Sequence, residues 1–221
     1  MPPTIAALSF DGDDTLWDFG ASFATAIADA AAFLGAELGG PAVQVAWLQR
    51  IRTEVGALHP GASLPELRQA AFAEAARRRA PDRPDLGPRA YEAFMAARAR
   101  STTLYPEVAA TVAALARRLP LALTTNGNAE LAWTGLEPHF AVVVRAVDCG
   151  LRKPDPAIYR LAAARLGVPP GQVLHVGDHP DEDVAAARAA GMQARLLDRS
   201  GRTPGALTSL TELLPAAGLS P

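Results

Sequence analysis

The one lysine of this 221-residue chain is Lys153, in Gly150-Leu-Arg-Lys-Pro-Asp-Pro156, and its only two asparagines share Thr124-Thr-Asn-Gly-Asn128. The rest of the chain is biased toward Ala (48) and Arg (20). Rare residue types gathered in two loop-like stretches mark positions where the common substitute would fail. Carboxylates cluster too. Asp11-Gly-Asp-Asp-Thr15 closes an apolar N-terminal run, and Gly177-Asp178 closes another, with Asp183 five residues on. Brought together, Asp11, Asp13, Asp178 and Asp183 would place up to four negative charges against one ammonium. Crowded carboxylates raise one another's pKa unless a cation sits among them. A hard, oxygen-seeking divalent cation resolves this, and Mg²⁺ favours one or two carboxylates together with waters and a phosphate. A metal-bound phosphate would also employ Thr125 and Lys153, donors with nothing else obvious to hold.

These residues must be delivered by the elements that precede them. Thr4–Phe10 is a short apolar run without a turn residue, and four more follow at Leu119–Leu123, Ala141–Val144, Gln172–Val176 and Gln193–Leu197. Near-continuous apolar runs fit parallel strands covered on both faces. Helical patterns separate the later runs. Pro106–Arg118 and Pro156–Leu166 each carry an apolar face, and Asp181–Ala190 is a short Ala-rich helix stopped by Gly191. Another short helix is expected at 129–135. The alternation predicts right-handed βαβ units on a parallel sheet. In such sheets ligands bind beyond the carboxyl ends of the strands, which is where the polar residues fall.

Residues 19–101 break the alternation. Phe23, Ile27, Ala30 and Leu34 recur at helical spacing, as do Val45, Leu48, Ile51 and Val55. Ser63-Leu-Pro-Glu66 is a capping box opening a third helix, and Pro88–Arg100 reads as a fourth. The fold expected is α/β: a Rossmann-like parallel sheet core at 1–16 and 102–221, with helices on both faces, and an inserted four-helix cap at 17–101.

Asp11-x-Asp13-x-Thr15, Thr125-Asn-Gly127, Lys153-Pro154 and Gly177-Asp178-x₄-Asp183, in that order and each at a predicted strand end, resemble the four motifs of the haloacid dehalogenase superfamily. The helical insertion after the first motif is similar to the superfamily's small C1 cap. The resemblance implies Asp11 as the nucleophile that forms an aspartyl-phosphate and Asp13 as general acid, then base. It implies Thr125 and Lys153 on the phosphoryl oxygens, with Thr15, Asn126 and Gly127 lining the phosphate. It implies Mg²⁺ on Asp11, the main-chain carbonyl of Asp13, and Asp178, with Asp183 behind these ligands or reaching the metal through water. Two departures stand out: Gly12 occupies the usual place of Leu or Met, and His179 that of Ser or Asp.

An acid at Asp13 bears on the chemistry. Members that cleave carbon–halogen bonds lack it, because halide leaves unprotonated, whereas an alkoxide needs a proton. The expected activity is therefore Mg²⁺-dependent hydrolysis of a small phosphorylated metabolite. The core, including His139-Phe140 and His175-Val-Gly-Asp178, resembles bacterial phosphatases of flavin mononucleotide and of the ribitylaminouracil phosphate. A sugar-phosphate mutase, or a phosphatase of nucleotides or phosphoglycolate, are the alternatives.

The balance of 21 basic and 23 acidic residues, net charge −2, provides no electrostatic footprint for nucleic acid or an anionic membrane. No uncharged apolar run reaches the roughly 18 residues that span a bilayer. One cysteine, Cys149, allows no intrachain disulfide and reads as a small packed residue. A cytoplasmic monomer or homodimer is expected. His175 reads as a satisfied core residue, and His179 as a surface one. His59 and Arg52 read as exposed, and Trp17 and Phe19 as packing residues flanking the entry to the insertion.

Overall fold

The structure, a computed structural model, describes residues 4–215. The described residues divide into two compact units, one of residues 4–18 and 103–215 and the other Phe19–Thr102.

The first unit is built on five strands: β1 (Ala7–Phe10), β2 (Leu121–Thr125), β3 (Val142–Arg145), β4 (Val173–Gly177) and β5 (Gln193–Leu196). Their order is β3-β2-β1-β4-β5, and every pairing is parallel. β1 is central and wholly buried, as are β2 and β4 on either side of it. That accounts for the continuous apolar runs, since both faces of these strands are covered. One face carries Phe10, Trp17, Val112, Leu115, Leu121 and Val176, and the other carries Ala7, Val144, Ile158, Tyr159 and Ala187, in separate clusters.

Expected and observed helices agree closely where capping chemistry is explicit. The four helices of the second unit are α1 (Phe19–Glu37), α2 (Val45–Leu58), α3 (Leu64–Arg79) and α4 (Leu86–Ser101). In the first unit come α5 (Val108–Ala116), the one-turn α6 (Ala146–Cys149), α7 (Pro156–Leu166) and α8 (Ala186–Ala189). α7 starts where Asp155 accepts the Ala157 N–H at 2.8 Å, carries Pro156 at its first position, and ends at Gly167 with φ of 70°. The expected helix over 181–190 is divided. Pro180–Ala185 winds as a π-turn before α8, because the Asp183 and Val184 N–H groups both donate to the His179 carbonyl. The segment expected as a helix at 129–135 is a 3₁₀ turn at Leu131–Thr134.

The helical unit has its own core of Ile27, Leu34, Leu48, Ile51, Phe72 and Phe94. Its α3 carries the complete capping box, Ser63 Oγ accepting the Glu66 N–H and Glu66 accepting the Ser63 N–H. Among the described residues, α1 alone is long and apolar enough to cross a bilayer by length and composition, with Asp29 interrupting its apolar run. Here it buries Ala26, Ile27, Ala30, Ala31 and Leu34 within the unit. The first crossing between units falls after Asp18 rather than after Leu16. Trp17 stays with the first unit because its backbone bridges Asp13 on one side and Leu104 on the other.

Candidate active site

Each central strand ends on a polar group at the same sheet edge. β1 runs directly into Asp11, β2 ends on Thr125, and β4 ends on Gly177 with Asp178 next. Lys153 arrives from the loop between α6 and α7, and the Lys153–Pro154 peptide is cis. The Lys153 ammonium, 3% exposed, lies 2.5 Å from Asp11 Oδ1 and 2.5 Å from Asp183 Oδ1. One carboxylate oxygen from each of Asp11, Asp178 and Asp183 lies within 4.8 Å of the others. Four of the five charged residues expected here therefore come together: Lys153 joins Asp11 to Asp183, and Asp178 completes the acid cluster. Asp13 is not among the clustered carboxylates.

The electrostatics follow from burial. Burial pushes the Asp11 carboxyl well above the ordinary range. Lys153 opposes that shift, and Asp183 and Asp13 add to it. Burial, with repulsion from Asp183, raises Asp178 to about 6. Burial alone would lower Lys153, but Asp11 and Asp183 more than reverse this and hold it firmly protonated. Burial also works against ionised Asp183, yet His175 and Lys153 keep its carboxyl well below the usual range. Two adjacent acids driven upward, at the same place, form a donor set that lacks positive charge. A hard divalent cation fits it, because the donors are carboxylate oxygens. Asp11 and Asp178 would hold it. Asp183 is less available: its Oδ1 already takes Lys153 and, at 3.3 Å, His175 Nε2, and its Oδ2 takes the His179 N–H at 2.9 Å.

A chain of buried polar groups supports Asp183. Thr124 Oγ1 and Ser9 Oγ lie 3.0 Å apart, Ser9 Oγ lies 3.0 Å from His175 Nδ1, and His175 Nε2 meets Asp183. Burial lowers the His175 pKa and keeps the ring neutral, so Nε2 donates to the carboxylate and Nδ1 accepts from Ser9. His175 is thus a satisfied core residue, but its partner is part of the site. Gly177 makes room for this arrangement: a Cβ there would fall 2.3 Å from Asp183 Cγ.

The phosphate-facing residues divide. Thr125 Oγ1 accepts the Gly127 N–H at 2.9 Å, which leaves the hydroxyl proton to be donated elsewhere. Asn126 does not offer its side chain to a ligand. Its Oδ1 accepts the Lys153 N–H at 2.8 Å, and its Nδ2 donates to the Lys153 carbonyl at 3.0 Å and to Glu182 at 2.9 Å. It splints the loop that carries the lysine. Thr15 is fully buried, its carbonyl accepts from Arg199 at 2.7 Å, and its Oγ1 has no hydrogen-bond partner among the described residues. Gly127 is needed for proximity: a Cβ would fall 2.7 Å from Asp13 Oδ2.

Three participants lie outside the motif residues. Trp17 Nε1 donates to Asp13 Oδ1 at 2.7 Å. Tyr159, under the sheet, donates to the Glu182 carbonyl at 2.5 Å. Arg199 stacks over Tyr105 at 3.7 Å, pairs with Glu107 at 2.7 Å and grips the Asp11–Thr15 loop through the Thr15 carbonyl. It lines a groove of about 370 Å³ with Asp14, Tyr105, Asp178 and Arg202. Trp17 carried a weak signal, as an aromatic four residues past Asp13. Arg199 carried none, because its partners are far away in sequence. In the helical unit, Arg52 lies 5.9 Å from the Phe23 ring centroid and lines a cavity with Arg68, Phe72 and Phe94. His59 is exposed.

Comparison with known proteins gives a consistent grouping. Residues 5–191 match the hydrolase family described as haloacid dehalogenase-like. The chain is 43% identical over 117 residues to a phosphoserine phosphatase of Thermus thermophilus, covering 50% of this chain and 47% of that protein. It is 46% identical over 84 residues to the 5-amino-6-(5-phospho-D-ribitylamino)uracil phosphatase YigB of Escherichia coli, covering 38% of this chain and 35% of that protein. The matched segments thus span about half or less of these curated relatives. Among solved structures, a protein described as a 2-haloacid dehalogenase from Pseudomonas syringae superposes with a TM-score of 0.86 at 31% identity, covering 97% of this chain and 99% of that one.

Proposed function

This chain belongs to the haloacid dehalogenase-like hydrolase family, and within that family we propose that it is a Mg²⁺-dependent phosphomonoester hydrolase working through an aspartyl-phosphate on Asp11. The observation that carries this reading is Asp13: a second carboxyl two residues beyond Asp11, set beside Gly127 and Thr125.

Asp11 attacks phosphorus in line as the bond to the leaving oxygen breaks, and that oxygen takes its proton from Asp13. Water then attacks the same phosphorus. Asp13 receives the water's proton, the bond to Asp11 breaks, and inorganic phosphate and free Asp11 result. Lys153, locked in the charged state by Asp11 and Asp183, neutralises the nucleophile at rest and holds phosphoryl oxygens with the Thr125 hydroxyl. Asp11, Asp178 and the Asp13 carbonyl would hold a divalent cation, whose charge would let a carboxylate approach a phosphate dianion. Asp183, Asn126 and Arg199 hold these groups in place.

The similarity to a protein described as a 2-haloacid dehalogenase favours a second reading, hydrolytic dehalogenation. That chemistry has no use for an acid at Asp13. The substrate is a small phosphorylated metabolite. The named relatives put O-phosphoserine and the ribitylaminouracil phosphate on the panel, together with flavin mononucleotide, phosphoglycolate, nucleoside monophosphates and sugar phosphates. The test is phosphate release from this panel and from p-nitrophenyl phosphate, with Mg²⁺ and with EDTA, beside halide release from 2-chloropropionate. Mg²⁺-dependent phosphate release without halide release supports the reading. Halide release alone, or turnover indifferent to EDTA, contradicts it.

A further inference from the structure

Asp13 is held on one side by Trp17, and Gly127 approaches it closely on the other. The Trp17 indole is fully buried, so its N–H requires a partner. It finds Asp13 Oδ1 at 2.7 Å. The backbone fixes the indole in turn, since Trp17 bridges Asp13 and Leu104, and its carbonyl accepts the Asp14 N–H at 2.8 Å. Asp14 takes φ of 60°, the left-handed conformation that closes this tight loop. The ring fits only because residue 12 is glycine. A Cβ there would fall 2.5 Å from Trp17 Cζ2 and 2.8 Å from Cη2. Gly12 and Trp17 are thus one device, a small residue vacating the space a large one fills. On the far side, Gly127 comes close enough that a Cβ would meet Asp13 Oδ2 at 2.7 Å.

We propose that Trp17 is the positioning residue for Asp13: its indole N–H commits Oδ1 as an acceptor, so that the exchanged proton resides on Oδ2, the oxygen beside Gly127. This rests on the reading of Asp13 as general acid and base. The chemistry follows from the donor inventory. An indole N–H can only donate, and in a carboxylic acid the oxygen that accepts such a bond is best the one without the hydrogen. The proton is then delivered from one oxygen in one orientation rather than from either of two. When the leaving oxygen takes it, Asp13 becomes a carboxylate still anchored through Oδ1, ready to receive the proton of the attacking water on Oδ2. Losing the anchor lets the carboxyl rotate, and a misplacement on the order of 1 Å costs up to about 10²-fold in rate.

The test separates proton delivery from structural support by the leaving group. Departure of p-nitrophenolate needs no proton, whereas departure of an alkoxide does. Because kcat/KM reports only the steps through that departure, we compare it for p-nitrophenyl phosphate and for the alkyl ester turned over fastest in the panel above. Trp17→Phe keeps the ring and removes the N–H. The expected result is a loss of roughly 10- to 100-fold for the alkyl ester, with p-nitrophenyl phosphate little changed. Gly12→Ala keeps the N–H but displaces the ring, and is expected to give the same selective loss. Equal losses for both substrates, or none, overturn the proposal. If Trp17→Phe does not fold, Gly12→Ala and the indole N–H resonance of Trp17 decide. That resonance is expected to shift in Asp13→Ala while those of Trp47 and Trp133 stay, and an unmoved Trp17 signal overturns the proposal. A wild-type protein inactive on every phosphate ester instead removes the underlying reading of Asp13.

Discussion

Single side chains divide the labour at this site by charge and by exposure. Asp11 and Lys153 form a buried pair, and such a pair tolerates loss of one partner badly, because the other is left uncompensated. Asp11→Asn is expected to abolish turnover on all panel substrates, and phosphate release near the wild-type rate would remove Asp11 from the nucleophile's role. Asp13→Asn keeps the Trp17 contact through its amide oxygen but cannot move a proton. Its expected loss is about 10²- to 10⁴-fold in kcat with a phosphate ester, and a loss confined to KM would contradict the assignment. The positions of Asp11, Thr125, Lys153, Asp178 and Asp183 could be read from the sequence because each follows or lies near the end of an apolar run, where a sheet delivers polar groups to one edge. The work of Asn126 and Trp17 could not. Whether an amide faces a ligand or splints a neighbouring backbone depends on contacts 27 residues away in the chain, and the buried indole looks like packing until its nitrogen is located.

Strands and turns set these side chains with little slack. β4 must end in glycine, since any side chain at residue 177 collides with Asp183. The π-turn over Pro180–Ala185 is what brings Asp183 inward to Lys153 and His175. Gly177→Ala is therefore expected to destabilise the protein by about 1–3 kcal/mol, as overpacking does, and to weaken Mg²⁺ binding as Asp183 shifts. Denaturant melts and calorimetry would check both, and unchanged values would show that the turn yields freely. In the helical unit, Ser63→Ala removes one half of the capping box and is expected to cost about 1 kcal/mol without altering kcat on the panel. A change in kcat would show that α3 does more than fold. Helix boundaries were legible where caps are written in side chains, as at Ser63 and Asp155. The π-turn was not, because it arises from backbone bonds to the His179 carbonyl that no residue type announces.

Across the molecule, the central physical feature is an excess of buried negative charge at one sheet edge. Asp178 is raised to about 6 from an ordinary value near 3.8, and Asp11 is raised as well. An acid raised in the folded chain binds protons there that the unfolded chain has already lost. The contribution of these carboxyls to the stability of the metal-free protein therefore falls as pH climbs from near 3.8 through about 6. A cation that replaces those protons restores stability above that range and competes with them below it. Mg²⁺ is thus expected to raise Tm more at about pH 7.5 than at about pH 5, and a shift independent of pH would show that these carboxyls do not hold the ion. The parallel sheet and the four helices between β1 and β2 could be read from the order of apolar runs and helical patterns. The place where the chain passes between units could be read only approximately, since the pairing of Trp17 with Asp13 and Leu104 is a backbone contact that hydrophobic pattern does not encode.

Acid-quenched turnover of p-nitrophenyl phosphate, followed by mass mapping of the peptide containing Asp11, addresses the whole account at once. With Mg²⁺ present, a phosphoryl group is expected on Asp11, absent in Asp11→Asn and absent when EDTA replaces the metal. Sustained Mg²⁺-dependent turnover with Asp11 unmodified at every quench time, in a protein whose Asp11→Asn variant is equally active, would contradict it.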